Sequence, residues 1–209
     1  MNSYRWRPHP WHGLEAGDDA PRVVNAYIEI TPFDSMKYEI DEVTGYLRID
    51  RPQSGSSLPP CAYGFVPQTY CGDRVASFED DAREGDGDPL DICVISELPI
   101  NRAEILISAK VLGGFCMIDD GKADDKIIAV LDNDAIWGKA GNLKGLHAEL
   151  VARIQHYFST YKTPYNAPEP GIVKDLYRPR QAHRIIRAAM EDYAGQYPAG
   201  SDEEPFDGP

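Results

Sequence analysis

The chain has 209 residues, 42% of them hydrophobic and 26% charged, the balance of a soluble globular protein with a sizeable core and not of a fibrous or wholly disordered one. Its formal charge of −13 argues against nonspecific attraction to nucleic acid or anionic membranes, since both rely on a basic footprint. No run approaches the roughly 18 apolar residues of a membrane span. The N-terminal stretch, with Arg5 and Arg7, lacks an apolar signal core, which gives the expectation of a cytoplasmic protein. Cys61, Cys71, Cys93 and Cys116 form no CxxC pair and are expected as free buried thiols.

Residues 1–21 hold Trp6, Trp11, His9, His12 and prolines, a composition that predicts an irregular arm packed by its aromatic rings onto something larger. His9 and His12 are a weak metal-binding candidate, because three-residue spacing in a Pro-rich loop fixes no geometry. Residues 23–30 read as a strand. Residues 37–41 and 46–50 alternate around the turn residues 42–45 and predict a hairpin, with Lys37 and Glu39 sharing one face. A Ser/Pro/Gly loop at 52–60 precedes a short strand from Tyr63, and the polar, acidic stretch 71–85 reads as a surface insertion. Further strands are expected at 91–96, 104–112 and 126–131; many short strands separated by turns favour a closed barrel. Helices come only afterwards. Asn142 is a good N-cap for one running to about 162, with Leu143, Leu146, Leu150, Ile154 and Phe158 at helical spacing. A second follows Pro179 and ends at Gly195. The organisation expected is one domain over 1–197, with residues 1–21 as an arm and 71–85 as an insertion, followed by an acidic, disordered tail over 198–209.

The most informative run is Asp86-Gly87-Asp88-Pro89-Leu90-Asp91. Three carboxylates held so close repel, so the fold must supply a counter-charge, share a proton or bind divalent cations. Gly87 permits positive φ, and Pro89 pushes Asp88 into an extended conformation, so the segment is not helical and Asp86 and Asp88 point the same way. An Asp/Gly/Pro cluster is first a turn signal, but this one runs into the apolar stretch Asp91-Ile92-Cys93-Val94-Ile95, which would partly desolvate its carboxylates. An EF-hand loop fails, because Leu90 stands where a ligand is needed and Asp91 where glycine is needed. A second concentration, Asp119, Asp120, Asp124 and Asp125, is expected in a loop between strands, with Lys126 opening the second. Charged loop tips are ordinarily just solvated; paired with the first cluster in a small barrel, this one would bring oxygen ligands around hard cations such as magnesium. Cations so placed neutralise phosphate oxygens and lower the pKa of water, and Lys37, Arg51, Lys126 and the pair Tyr161-Lys162 are candidate positive or polar partners for phosphate.

In these residues, and in Ile28-Glu29-Ile30, Lys37-Tyr38-Glu39, Asp50-Arg51, Tyr63-Gly64-Phe65, Met117-Ile118-Asp119 and His156-Tyr157-Phe158, the chain resembles the soluble family I inorganic pyrophosphatases over roughly residues 22–163. The resemblance implies a mainly β fold with flanking helices, an OB-like five-stranded barrel with two C-terminal helices, and magnesium-dependent hydrolysis of pyrophosphate to two orthophosphates. It implies Asp86, Asp91, Asp119 and Asp124 as the main metal ligands with Glu29 and Glu39 assisting, and Asp88 as the general base. It also implies Lys37, Arg51, Lys126, Tyr161 and Lys162 as phosphate ligands, Tyr63 as a phenol near the nucleophile, and a homo-oligomer. The chain departs from the family pattern in the stretch 71–85, in Ala62 where asparagine is common, and in Pro59 where an aromatic is common. Two other readings remain: a different metal-dependent phosphohydrolase, acting on nucleotides or polyphosphate, which would need a base or sugar pocket, and a noncatalytic OB-like module, which should show a basic groove interleaved with aromatics.

Overall fold

The computed structural model describes residues 7–53, 58–161 and 172–198. Its elements in chain order are β1 (Val23–Ile30), β2 (Met36–Ile40), β3 (Leu47–Pro52), β4 (Ala62–Phe65), α1 (Asp73–Ala76), β5 (Glu84–Gly85), β6 (Asp91–Ile95), β7 (Ile105–Asp119), β8 (Lys122–Leu131), α2 (Ala148–Thr160), β9 (Ile172–Val173) and α3 (Pro179–Gln196). β1 pairs with β4 and β7, β4 with β6, β6 with β8, and β8 returns to β7, so five strands close into a ring. This is the OB-like barrel expected from the sequence. Every pairing in the ring is antiparallel except that of β6 with β8.

The near-continuous apolar runs of β6 and β8 reflect cover on both faces. Ile92 and Val94, with Ile127 and Ala129, join one buried cluster together with Ala182, Ile185, Ile186 and Ala189 of α3. Their alternates Cys93 and Ile95, with Ile128 and Val130, join a second cluster with Val151, Ile154 and Phe158 of α2. Burying each such aliphatic or aromatic side chain contributes about 1.5–3 kcal/mol, so the two helices act as the lids of the barrel wall. β4 and β1 approach so closely that a Cβ on Gly64 would lie 1.9 Å from the Tyr27 carbonyl oxygen, which explains the glycine. A third, smaller cluster seats the N-terminal arm: Trp11 is buried with Tyr27, Ile40 and Phe65, and its Nε1 donates to the Thr69 carbonyl at 2.7 Å.

Four expectations change. β7 does not end near Leu112: a register shift between Val111 and Gly113, with Gly113 at φ +150°, bends the strand and lets it run on to Asp119. The second acidic cluster is consequently no loop. Asp120 and Gly121, at φ +50° and +79°, make a two-residue turn with both central φ angles positive, and Asp124 and Asp125 lie buried within β8. Asn142 caps a single 3-10 turn, Leu143–Gly145, by accepting from the Lys144 amide at 2.9 Å; Leu146 is extended, so α2 starts only at Ala148. Finally, residues 71–85 are anchored: Cys71 and Val75 are buried, and β5 pairs with the start of β8. α1 is held by Asp192 of α3, whose carboxylate accepts from the amides of Gly72, Arg74 and Val75 at 3.1–3.2 Å. The tail beyond Pro198 lies outside the described residues. None of the helices among the described residues is long and apolar enough to cross a membrane.

Candidate active site

β-strand alternation decides which carboxylates meet. In β8, Asp124 and Lys126 share a face, while Asp125 between them points the other way and accepts from the buried Tyr177 hydroxyl at 2.8 Å. β6 runs parallel beside β8 with Asp91 in register with Lys126, which brings the end of the Asp86–Asp91 run against that face. The Lys126 ammonium is 1% exposed and hydrogen-bonds both Asp91 and Asp124. Burial works against its charge, but those two carboxylates prevail and hold its pKa well above the ordinary lysine value. It also sits 5.8 Å from the Tyr63 ring centre and 5.6 Å from that of Phe158, so aromatic faces complete its surroundings.

These groups line a cleft of about 450 Å³, which also takes in Glu29, Lys37, Glu39, Asp86, Asp88, Asp119 and Tyr161. Glu29 reaches it from the end of β1 and accepts from the Ile40 amide at 2.8 Å. Lys37 comes from the hairpin of β2 and β3, its ammonium 3.0 Å from Glu39 and 2.8 Å from Asp50. Tyr161 follows the last turn of α2 and stacks on Tyr157 with ring centres 5.5 Å apart. In the Asp86 run, Gly87 takes φ +84° and the Asp86 carboxylate accepts from the Asp88 amide at 3.1 Å, so the run turns at Gly87 instead of continuing extended as expected, using the positive φ that glycine permits.

Carboxylates outnumber cations in this cleft, and their acidity reflects it. Burial, reinforced by Asp124, raises Asp86 to about 9, and burial, reinforced by Asp91, raises Glu29 to about 8. Asp91 is likewise raised, by burial against the pull of Lys126. Asp88 keeps an open surface, yet the cleft walls strip part of its hydration and, with Asp91, Asp124 and Glu42 facing it, raise it to about 6. As the side chains stand, no three His, Cys, Asp or Glu groups among the described residues converge closely enough to hold a metal ion. The Lys126 ammonium fills the place between Asp91 and Asp124. The chemistry of the donors nonetheless fits hard divalent cations: they are oxygen ligands alone and in excess of the lysines, and burial leaves Asp86 and Glu29 raised where a cation would favour their charge.

Eleven of the thirteen sequence-predicted site residues therefore line one cleft. Arg51 does not: its guanidinium is taken by the adjacent Asp50 carboxylate, and it stands opposite Lys37 across the hairpin, outside the cleft wall. Lys162 lies outside the described residues. The cleft also contains Lys122, Glu42 and Trp11, which sequence reasoning missed. No local pattern marks them, because the first arrives through the turn at Asp120 and Gly121, the second through the β2–β3 turn, and the third through packing of the arm. His9 and His12 are engaged elsewhere, His9 with the Glu42 carbonyl at 3.1 Å and His12 with the Tyr193 hydroxyl at 2.7 Å.

A closed OB-like barrel whose side gathers acids from β1, β2, β6, β7 and β8, with lysines and a phenol among them, belongs to the class of folds with an oxygen-rich cleft suited to hard cations and the anions they bind. Within that class the assignment is direct. The chain belongs to the inorganic pyrophosphatase family, whose model matches residues 26–194. It is 43% identical over 199 residues to the inorganic pyrophosphatase of Chlamydia muridarum, covering 90% of this chain and 95% of that one. It is 36% identical over 186 residues to soluble inorganic pyrophosphatase 3 of Arabidopsis thaliana, covering 89% and 79%. The crystal structure of inorganic pyrophosphatase from Thermus thermophilus superposes with a TM-score of 0.76 at 29% identity, covering 90% of this chain and 99% of that one.

Proposed function

We propose that this chain is an enzyme that hydrolyses inorganic pyrophosphate to two orthophosphates, with magnesium as cofactor and Asp88 as general base. The observation that carries the reading is the single cleft in which Asp86, Asp88 and Asp91 face Asp119, Asp124 and Lys126, in a member of this family. Magnesium held by Asp86, Asp91, Asp119 and Asp124, with Glu29 and Glu39 assisting, would neutralise phosphate oxygens and acidify water.

The chain's own groups do the rest. Lys37, Lys126 and the Tyr161 hydroxyl orient the phosphates and stabilise charge on the transferring and departing groups, and Arg51 and Lys162 belong to the same proposed set. Asp88 accepts the proton as the water oxygen bonds to one phosphorus and the bridging P–O bond breaks, releasing the second phosphate. Even without cations, where the cleft raises it to about 6, the Asp88 carboxylate is ionised near neutrality and able to accept a proton. Tyr63, half-buried beside Lys126 and Phe158, belongs to the same proposed set as the phenol near the nucleophile.

The reading includes residues 1–197 as one catalytic unit and a homo-oligomer acting in the cytoplasm. Four buried, unbridged cysteines support a reducing compartment. The test is orthophosphate release from pyrophosphate with magnesium, after chelation, and with ATP as parallel substrate. Rapid release from pyrophosphate that chelation abolishes, with little from ATP, is the expected result. A preference for ATP would replace this reading with a nucleotide phosphohydrolase, and no release from either by folded, magnesium-loaded protein would remove it.

A further inference from the structure

The three lysines of the cleft are not equally committed. Lys126 is buried between two carboxylates, and Lys37 is held at 3.0 and 2.8 Å by Glu39 and Asp50 with its side chain 22% exposed. Among the described residues Lys122 faces Glu84 alone, at 3.7 Å, with side chains 44% and 62% exposed. That distance exceeds hydrogen-bond length, so the attraction is a loose, solvent-screened one worth little. A loosely paired ammonium at the mouth of an acidic cleft is the group that a polyphosphate can recruit without breaking a buried ion pair.

The position of Lys122 is nevertheless fixed. It opens β8 directly after the Asp120-Gly121 turn and lies in register with Glu84 of β5. The adjoining Arg83 braces the same turn, its amide donating to the Gly121 carbonyl at 2.8 Å and its guanidinium donating to the Asp120 carbonyl. A Cβ on Gly121 would lie 2.5 Å from Nε of that guanidinium, so Arg83 lies directly against the turn. The other end of the insertion is tied to the Asp86 run, through Cys71 donating to the Asp88 carbonyl at 2.9 Å and Gly87 donating to the Cys71 carbonyl at 3.1 Å. Residues 71–85 thus span from one acidic segment to the other, and their last strand delivers Glu84 to Lys122.

We infer that Lys122 is a further substrate-binding residue, donating to a phosphate oxygen of the bound phosphoanhydride at the rim of the cleft, and that Glu84 holds the ammonium in place until the substrate takes it. The inference deepens, and rests on, the pyrophosphate reading. It gives residues 71–85 a role in the site: they set the affinity for the anion.

Calorimetric binding of methylenediphosphonate, a non-hydrolysable pyrophosphate analogue, to the magnesium-loaded protein tests it. Lys122→Gln should weaken binding about three- to tenfold, the worth of a charge-assisted hydrogen bond discounted for exposure. Lys122→Arg should retain most of the affinity, and Glu84→Gln should tighten binding by removing the competing carboxylate. In turnover, KM for pyrophosphate should rise more than kcat falls in Lys122→Gln. Wild-type binding matched by Lys122→Gln would overturn this inference alone. Weakening that Lys122→Arg does not rescue, accompanied by a lower melting temperature, would also overturn it, since a structural role would then explain the loss. Wild-type protein that binds no diphosphonate would sink the pyrophosphate reading, and the inference with it.

Discussion

A lysine buried between two aspartates is the most consequential single contact in the molecule. Lys126 neutralises Asp91 and Asp124 where water cannot, and removing it would leave like charges facing one another at low dielectric. Lys126→Met should destabilise the metal-free protein by about 3–5 kcal/mol, as breaking a buried ion pair from one side does. Urea unfolding in the presence of a chelator measures this, and a loss below about 1 kcal/mol would mean that Lys126 is not the counter-charge described. At this scale the sequence was informative wherever chemistry is unusual for its neighbourhood. Asp86, Asp88 and Asp91 stand out because their carboxylates crowd a segment entering an apolar strand, whereas Asp124 reads as part of an acidic loop and only the early start of β8 puts it on one strand face with Lys126. Lys122 and Glu42 were illegible, since a charged residue beside a turn reads as solvated and only tertiary structure turns it towards the cleft.

Among the elements, the short helix α1 depends on a residue more than a hundred positions away. Asp192, almost fully buried in α3, accepts three backbone amides at 72, 74 and 75 and is paired with Arg74 at 2.8 Å. Asp192→Ala would strand those amides and free residues 71–85 from α3. The expected cost is about 2–4 kcal/mol, from several unsatisfied donors and a lost charged acceptor. Chemical denaturation gives the magnitude, and limited proteolysis should show cleavage moving into 71–85; unchanged stability and unchanged cleavage would contradict the anchoring. The elements that period and capping signals describe, the β2–β3 hairpin, β6 and α3, stand close to their expected bounds. Those that went astray did so for identifiable reasons. The length of β7 hides behind two glycines that look like a terminator and act as a bend, and the acidic stretch 71–85 reads as solvated because its anchor, Asp192, is distant in sequence.

For the molecule as a whole, an excess of acid is concentrated in one cleft of a protein whose net charge is already −13. In protein stripped of divalent cations, Asp88, Glu29 and Asp86 are raised to about 6, 8 and 9. The fold then holds protons that the unfolded chain has released, so stability is fully present below the ordinary carboxylate range and is lost as pH rises through those values. Stabilisation by magnesium, which favours the ionised carboxylates, should accordingly grow from pH 5 to pH 9. Melting temperatures with chelator and with magnesium across that range test this, and a magnesium effect that is flat or declining with pH would contradict it. The most direct measurement joins cleft and chemistry: steady-state orthophosphate release from magnesium pyrophosphate by wild type and Asp88→Asn, alongside calorimetric magnesium binding by both. The account predicts that Asp88→Asn binds magnesium nearly as well and turns over at least about a hundredfold more slowly, the lower bound for a general base. Near-normal turnover by Asp88→Asn would contradict it.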